Sequence, residues 1–191
     1  MIGPRGKHHQ LSLIQNPSCS MCSLCQSSIN VCVMGRGNVM APIVLVGEAP
    51  GEAEGRTGQP FMGRSGQYLN KILQSLGMSD MVYITNIAKC RPPKNRTPKP
   101  VEAKLCVTTY LEPELTVVNP RVVVCLGNTA TKHLPTRLTP VRGRLIQGEY
   151  FAIMSTWHPS YCLKVRTTKS DWATDELRQS LIEVKQFVET R

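Results

Sequence analysis

Cys19, Cys22 and Cys25 form two overlapping C-x2-C pairs, and Cys90 and Cys106 lie far along the chain. Four soft thiolates can hold zinc or an iron–sulfur cluster. Spacing alone predicts Cys90, Cys106 and two of the three N-terminal cysteines as ligands. Cys32, Cys125 and Cys162 read as packing residues, Cys125 most plainly, because it sits inside the apolar run VVVCLG as a small hydrophobe. Eight cysteines in 191 residues are too few for a disulfide scaffold, and a chain of this length folds without such staples.

A second set of chemistry-bearing residues ends short apolar runs: Glu48 after IVLVG, Asn86 in YITN, Gly127 and Asn128 after VVVCL, and His158 after FAIMSTW. Runs of this kind, bounded by Gly or Pro, read as buried parallel strands. In an open α/β sheet, ligands bind at the carboxyl ends of the strands. These residues therefore outline a pocket.

The elements that must position them follow from periodicity. SGQYLNKILQSLG places Tyr68, Leu69, Ile72, Leu73 and Leu76 on one helical face and stops at Gly77. Further helices are predicted over 101–118, kinked near Pro113, over 128–134 and over 171–188. Strands alternating with helices predict a three-layer α/β sandwich around a central, mostly parallel four-stranded sheet. One domain spans 1–191, with 1–18, polar and basic, as a loosely ordered arm.

Charge points to the partner. There are 23 Lys and Arg against 13 Asp and Glu, a formal +10, which favours a polyanion. Between Lys89 and Lys104 lie six bases and one acid, Glu102, and the stretch from Lys132 to Arg144 has no acid. Lys89, Arg91, Lys94, Arg96, Arg142 and Arg144 are thus candidate contacts to a phosphate backbone. No P-loop or dinucleotide fingerprint is present, so nucleotide hydrolysis is not supported. Without a long apolar stretch or a leader-like h-region, the chain reads as soluble, unexported and cytoplasmic, and a monomer is the expectation.

Three ordered motifs carry a family resemblance: VGEAPGEAEGRTGQPFMGRSGQYL, YITNIAKCRPPKNRTP and STWHPSY. Together with the early C-x2-C and VCLGNTA, they resemble the family 4 uracil-DNA glycosylases over roughly residues 19–165. The resemblance implies a [4Fe-4S] cluster on Cys19, Cys22, Cys90 and Cys106, structural in role, with Cys25 as a neighbour. It also implies hydrolysis of the N-glycosidic bond of deoxyuridine in DNA, single- or double-stranded, after the nucleotide is flipped into a pocket.

In that reading Phe61 stacks on uracil, Asn86 reads O4 and N3, and His158 stabilises negative charge developing at O2. Glu48 helps position water or the sugar. Ala49 stands where other glycosylase families place a water-activating aspartate. Gly51 and Glu54 border the C5 side, where thymine carries its methyl, and Ser160 of the HPS motif joins the DNA contacts. Gly55, Ser28 and Arg36 depart from the family pattern. The alternative function is a protein that keeps the cluster and recognises a modified or deaminated base in nucleic acid without cutting.

Overall fold

The computed structural model describes residues 2–16, 18–27, 32–136, 138–167 and 170–190. Ser28 lies outside them. Four five-residue strands, each buried along its whole length, run parallel: β2 (Ile43–Gly47), β3 (Val82–Asn86), β4 (Val122–Leu126) and β5 (Ala152–Thr156). The four predicted strands are all present, and a short fifth joins them. This is β1 (Arg36–Gly37), which pairs antiparallel with β3 at the sheet edge and gives the order β1-β3-β2-β4-β5. Two residues are too few to show a strand period.

Side chains alternate across a strand, so each one feeds two cores. Ile43, Leu45, Ile84, Val124 and Met154 face α4 (Arg64–Ser75) and the C-terminal α9 (Trp172–Glu189), which bring Leu69, Ile72, Leu73, Leu177 and Leu181. Val44, Val46, Val123 and Ile153 face the other layer, where Val107, Leu111, Leu115 and Ala130 pack. Burying a side chain of this size contributes about 1.5–3 kcal/mol. The two layers enclose the sheet as a sandwich.

The predicted kink takes a specific form. α5 (Pro100–Cys106) and α6 (Glu112–Val118) are joined by a π-helical turn at Val107–Leu111. Pro113 lacks the N–H that would continue the ordinary ladder, and one wide turn accommodates the defect. Asn119, in the left-handed region at φ 50°, ends the helix before Pro120.

The opening segment differs from the predicted loose arm. It forms α1 (Pro4–Ile14), with Pro at the helix start, Leu11 buried, and Lys7 Nζ donating to the Val118 carbonyl at 2.7 Å. A cation on the carbonyl end of α6 is favourable. One buried leucine is too weak a stripe to reveal the helix in the sequence.

Candidate active site

Parallel register brings the strand ends level: Gly47 pairs with Asn86, and Leu126 with Thr156. Around them lies a cleft of about 690 Å³. Glu48, Ala49, Gly51, Glu54, Phe61, Asn86 and His158 all line it, as do Arg96, Ser160, Leu163 and Lys164. The residues predicted for bond cleavage and base recognition are therefore gathered in one place. The rest of the proposed DNA-facing cations are not in the lining.

Phe61 is buried with φ 56°, a left-handed conformation uncommon outside glycine. Two glycines make room for it. A Cβ on Gly66 of α4 would stand 2.1 Å from the Phe61 carbonyl oxygen, and one on Gly47 would stand 2.6 Å from its ring and 2.5 Å from Asn86 Oδ1. The absence of a side chain at Gly47 thus lets an aromatic face and a buried amide occupy the floor together. The sequence motifs contain both glycines, but only the three-dimensional approach reveals this role.

His158 caps α8 (Pro159–Val165), a short helix absent from the sequence prediction. Its Nδ1 accepts from the Ser160 backbone N–H at 3.1 Å and lies 2.7 Å from Ser160 Oγ. A ring nitrogen that accepts from an amide carries no proton, so the neutral tautomer has its hydrogen on Nε2. Enclosure in the cleft lowers the pKa from 6.5 to about 4, partly opposed by the charge of Glu54. The imidazole is neutral at pH 7 and offers Nε2–H as a donor 6.0 Å, ring to ring, from Phe61. Ser160, predicted as a DNA contact, is exposed at the cleft and also engages His158.

Glu48 accepts from Thr129 Oγ1 at 2.5 Å. Thr129 belongs to α7 (Asn128–His133), and no sequence signal marked it as a partner. Glu54 is buried and saturated: Oε1 accepts from the Met62 and Gly63 amides at 2.8 and 2.7 Å, and Oε2 from Gly51 at 2.9 Å. It braces the loop carrying Phe61 through charge-assisted hydrogen bonds.

The cations separate into paired and open groups. Lys89 is a correction to the sequence reading: it is fully buried, with Nζ 2.6 Å from Glu114 Oε2 and 2.6 Å from Thr85 Oγ1. It also donates to the Asn86 carbonyl at 2.9 Å, so it supports the pocket floor and cannot touch DNA. Arg96 forms two 2.8 Å bonds to Glu102, which hold that carboxyl at about 2, well below its usual range. Arg91 donates to Asn95 Oδ1 at 2.8 Å and lies 3.5 Å from Glu52. Lys94 and Arg144 are exposed and form no ion pair among the described residues. Arg142 lies 3.4 Å over the Trp157 ring.

The thiols gather at the far side of this basic segment. Cys19, Cys32, Cys90 and Cys106 are buried together with Leu24 and Tyr110, and Cys22 packs at the edge. Cys32, read from the sequence as packing, belongs to the nest, with its Sγ 3.4 Å from that of Cys90. Ser23 Oγ donates to Glu102 at 3.0 Å, which fastens the N-terminal cysteine segment to α5 and hence to Cys106. Among the described residues, no three ligating side chains meet as on a single metal ion. The Tyr110 hydroxyl is buried against the Cys19 thiol and makes no well-aligned hydrogen bond among the described residues. Soft donors, burial and a hydroxyl aimed at a ligating sulfur suit a polynuclear cluster with sulfur acceptors of its own.

Residues 34–182 match the family model of the uracil DNA glycosylase superfamily. The chain is 40% identical over 173 residues to the type-4 uracil-DNA glycosylase of Thermotoga maritima, covering 86% of this chain and 84% of that protein. It is 36% identical over 170 residues to the type-4 uracil-DNA glycosylase of Archaeoglobus fulgidus, covering 83% and 84%. Against the type-5 uracil-DNA glycosylase of Pyrobaculum aerophilum it is 34% identical over 145 residues, covering 65% and 63%.

Proposed function

This chain belongs to the uracil DNA glycosylase superfamily, and within it to the type-4 uracil-DNA glycosylases, and from that premise we propose how its cleft works. It is a DNA-repair glycosylase acting on uracil in DNA. The N-glycosidic bond of deoxyuridine is hydrolysed, leaving free uracil and an abasic site. A flipped base stacks on Phe61 while the Asn86 amide donates to O4 and accepts from N3–H. Cytosine presents the reverse pattern and is rejected.

Negative charge grows on uracil as the bond from N1 to C1′ breaks. Neutral His158 meets it at O2 with Nε2–H, and this preorganised donor is the main electrostatic contribution. Glu48, fixed by Thr129, orients the water whose oxygen joins C1′ and receives the proton it gives up. Glu54 holds Gly51, Met62 and Gly63 in place, so the loop's backbone closes the C5 side. The observation that carries this reading is the hydrogen bond from Ser160 to His158 Nδ1, which selects the tautomer the reaction needs.

Cys19, Cys22, Cys90 and Cys106 are the proposed holders of a [4Fe-4S] cluster. When bound, it would cross-link the N-terminal segment to the basic segment rather than take part in bond cleavage. Lys94, Arg142 and Arg144 supply phosphate contacts on single- or double-stranded DNA. One sheet running through both cores supports a single domain over 1–191, and a cytoplasmic monomer completes the proposal. Among the described residues, no helix is long and apolar enough to cross a membrane.

The test is single-turnover excision from a uracil-containing oligonucleotide, read as strand breakage after alkali. The parent releases uracil, His158→Ala is slower by about tenfold to a thousandfold, and DNA affinity barely moves. Asn86→Asp also loses activity, because a carboxylate cannot donate to O4. A parent that binds such DNA but releases no base would favour the non-cleaving alternative.

A further inference from the structure

The thiol nest contains one sulfur more than a four-ligand cluster needs. We propose that Cys32 is a fifth thiol of the cluster site, able to close a [4Fe-4S] cluster in place of Cys22. The proposal rests on the iron–sulfur reading above and adds a residue to it.

Position carries the argument. Cys32 is buried beside Cys19, Cys90 and Cys106, whereas Cys22 is only half-buried at the rim. The backbone fixes Cys32 there: the N–H of the next residue, Val33, donates at 2.7 Å to the carbonyl of Lys89, the residue before Cys90. The two side chains then meet at 3.4 Å. Two neighbouring thiols with backbones tied in this way can serve adjacent corners of one cluster without the chain moving far.

Cys22 is held differently. Its carbonyl accepts from both the N–H and the Sγ of Cys25, at 3.3 and 3.0 Å, in a tight turn ahead of α2 (Leu24–Ser27). A separate sign that the nest accommodates a ligand is Tyr110, whose buried hydroxyl faces the Cys19 sulfur without forming a well-aligned hydrogen bond among the described residues. A donor in that position needs an acceptor, and cluster sulfide or a ligating thiolate would supply one.

The exchange is redox-neutral. Cys32 would take the iron bond that Cys22 gives up, and the Cys32 proton would pass to the released Cys22 thiolate. Cys22 is the more exposed of the two, and a buried reserve would keep the cluster when the Cys22 thiolate dissociates.

Iron, sulfide and the visible and EPR spectra are measured on anaerobically purified, full-length protein, with Cys25→Ala present throughout to remove the neighbouring thiol. In this background Cys22→Ala retains about four iron per chain with an altered spectrum, and Cys22→Ala with Cys32→Ala loses them. Loss of all iron from Cys22→Ala, with the parent loaded, overturns the proposal. A second measurement guards against misfolding: Cys32→Ala alone begins with the parental iron content but loses its visible absorbance severalfold faster under a chelator in air. An unchanged rate of loss overturns the proposal. A parent holding zinc, or no metal, overturns both this inference and the iron–sulfur reading.

Discussion

Ser160 donates its backbone N–H to Nδ1 of His158 across 3.1 Å, two residues away within the cap of α8. That bond makes the imidazole a donor at Nε2 and ties its orientation to a helix start. Its pKa is lowered to about 4 by enclosure, so the neutral form, whose Nδ1 keeps the Ser160 bond, persists across the neutral range, and protonation at Nδ1 breaks that bond and frees the ring. Single-turnover excision should therefore be flat from pH 8 down through the ordinary histidine value of 6.5, falling only as pH approaches 4. A drop centred near 6.5 would show that the ring titrates as an exposed histidine. Stability follows the same sign. The unfolded chain takes up the proton first, so the contribution of neutral His158 is present above 6.5 and lost progressively towards 4.

Lys89 and Glu114 form a buried ion pair, with side chains 0% and 1% exposed, under the end of β3. Lys89→Met leaves Glu114 charged and unpaired, and should cost about 3–5 kcal/mol of stability. Lys89→Met with Glu114→Leu should recover much of that loss, because no lone charge remains. Chemical denaturation of the three proteins checks it. A single variant as stable as the parent would mean that water reaches the pair.

Lys94 and Arg96 stand two residues apart in the same basic segment yet differ in what they can give to DNA. Arg96 is already neutralised by Glu102, whereas Lys94 forms no ion pair among the described residues. Lys94→Ala should weaken uracil-containing and normal DNA by similar factors and reduce the salt slope by about 1. Arg96→Ala should chiefly lower thermal stability, because Glu102 also ties Ser23 and the Lys99 amide. Binding titrations at several salt concentrations, with melting curves, separate the two. Equal salt slopes for parent and Lys94→Ala would remove Lys94 from the interface.

What was legible in the sequence follows from how far each signal reaches along the chain. Strands such as IVLVG declare themselves within five residues, and their polar ends mark the cleft. Lys89 misleads because its charge is visible locally while its partner, Glu114, lies 25 residues on and meets it only after β3 and the joined helices α5 and α6 pack. Cys32 has no C-x2-C companion, so only the bond from Val33 to the Lys89 carbonyl brings it to Cys90. Glu54 is visible as an acid in a loop, but the three amides that saturate it belong to residues the loop folds back. Pairings across long separations are the part periodicity does not encode.

The last prediction concerns Gly47, which touches no substrate yet sets where two recognition groups stand. Its φ is not the constraint. A Cβ there would stand 2.5 Å from Asn86 Oδ1 and 2.6 Å from Phe61 Cζ, closer than real contacts allow. Lys89 holds the Asn86 backbone carbonyl and the Phe61 backbone rests on Gly66, so the methyl is admitted only by swinging the side-chain amide and the ring out of their places. Gly47→Ala should therefore keep the sheet, whose strands are fixed by the parallel ladders on both sides of β2, while displacing the amide and the ring. A displacement near 1 Å in such a constellation costs about a hundredfold in rate. The expected result is a folded, iron-loaded protein that binds DNA like the parent and excises uracil about a hundredfold more slowly. Parental excision by folded Gly47→Ala would show that Asn86 and Phe61 do not jointly form the floor that holds the base.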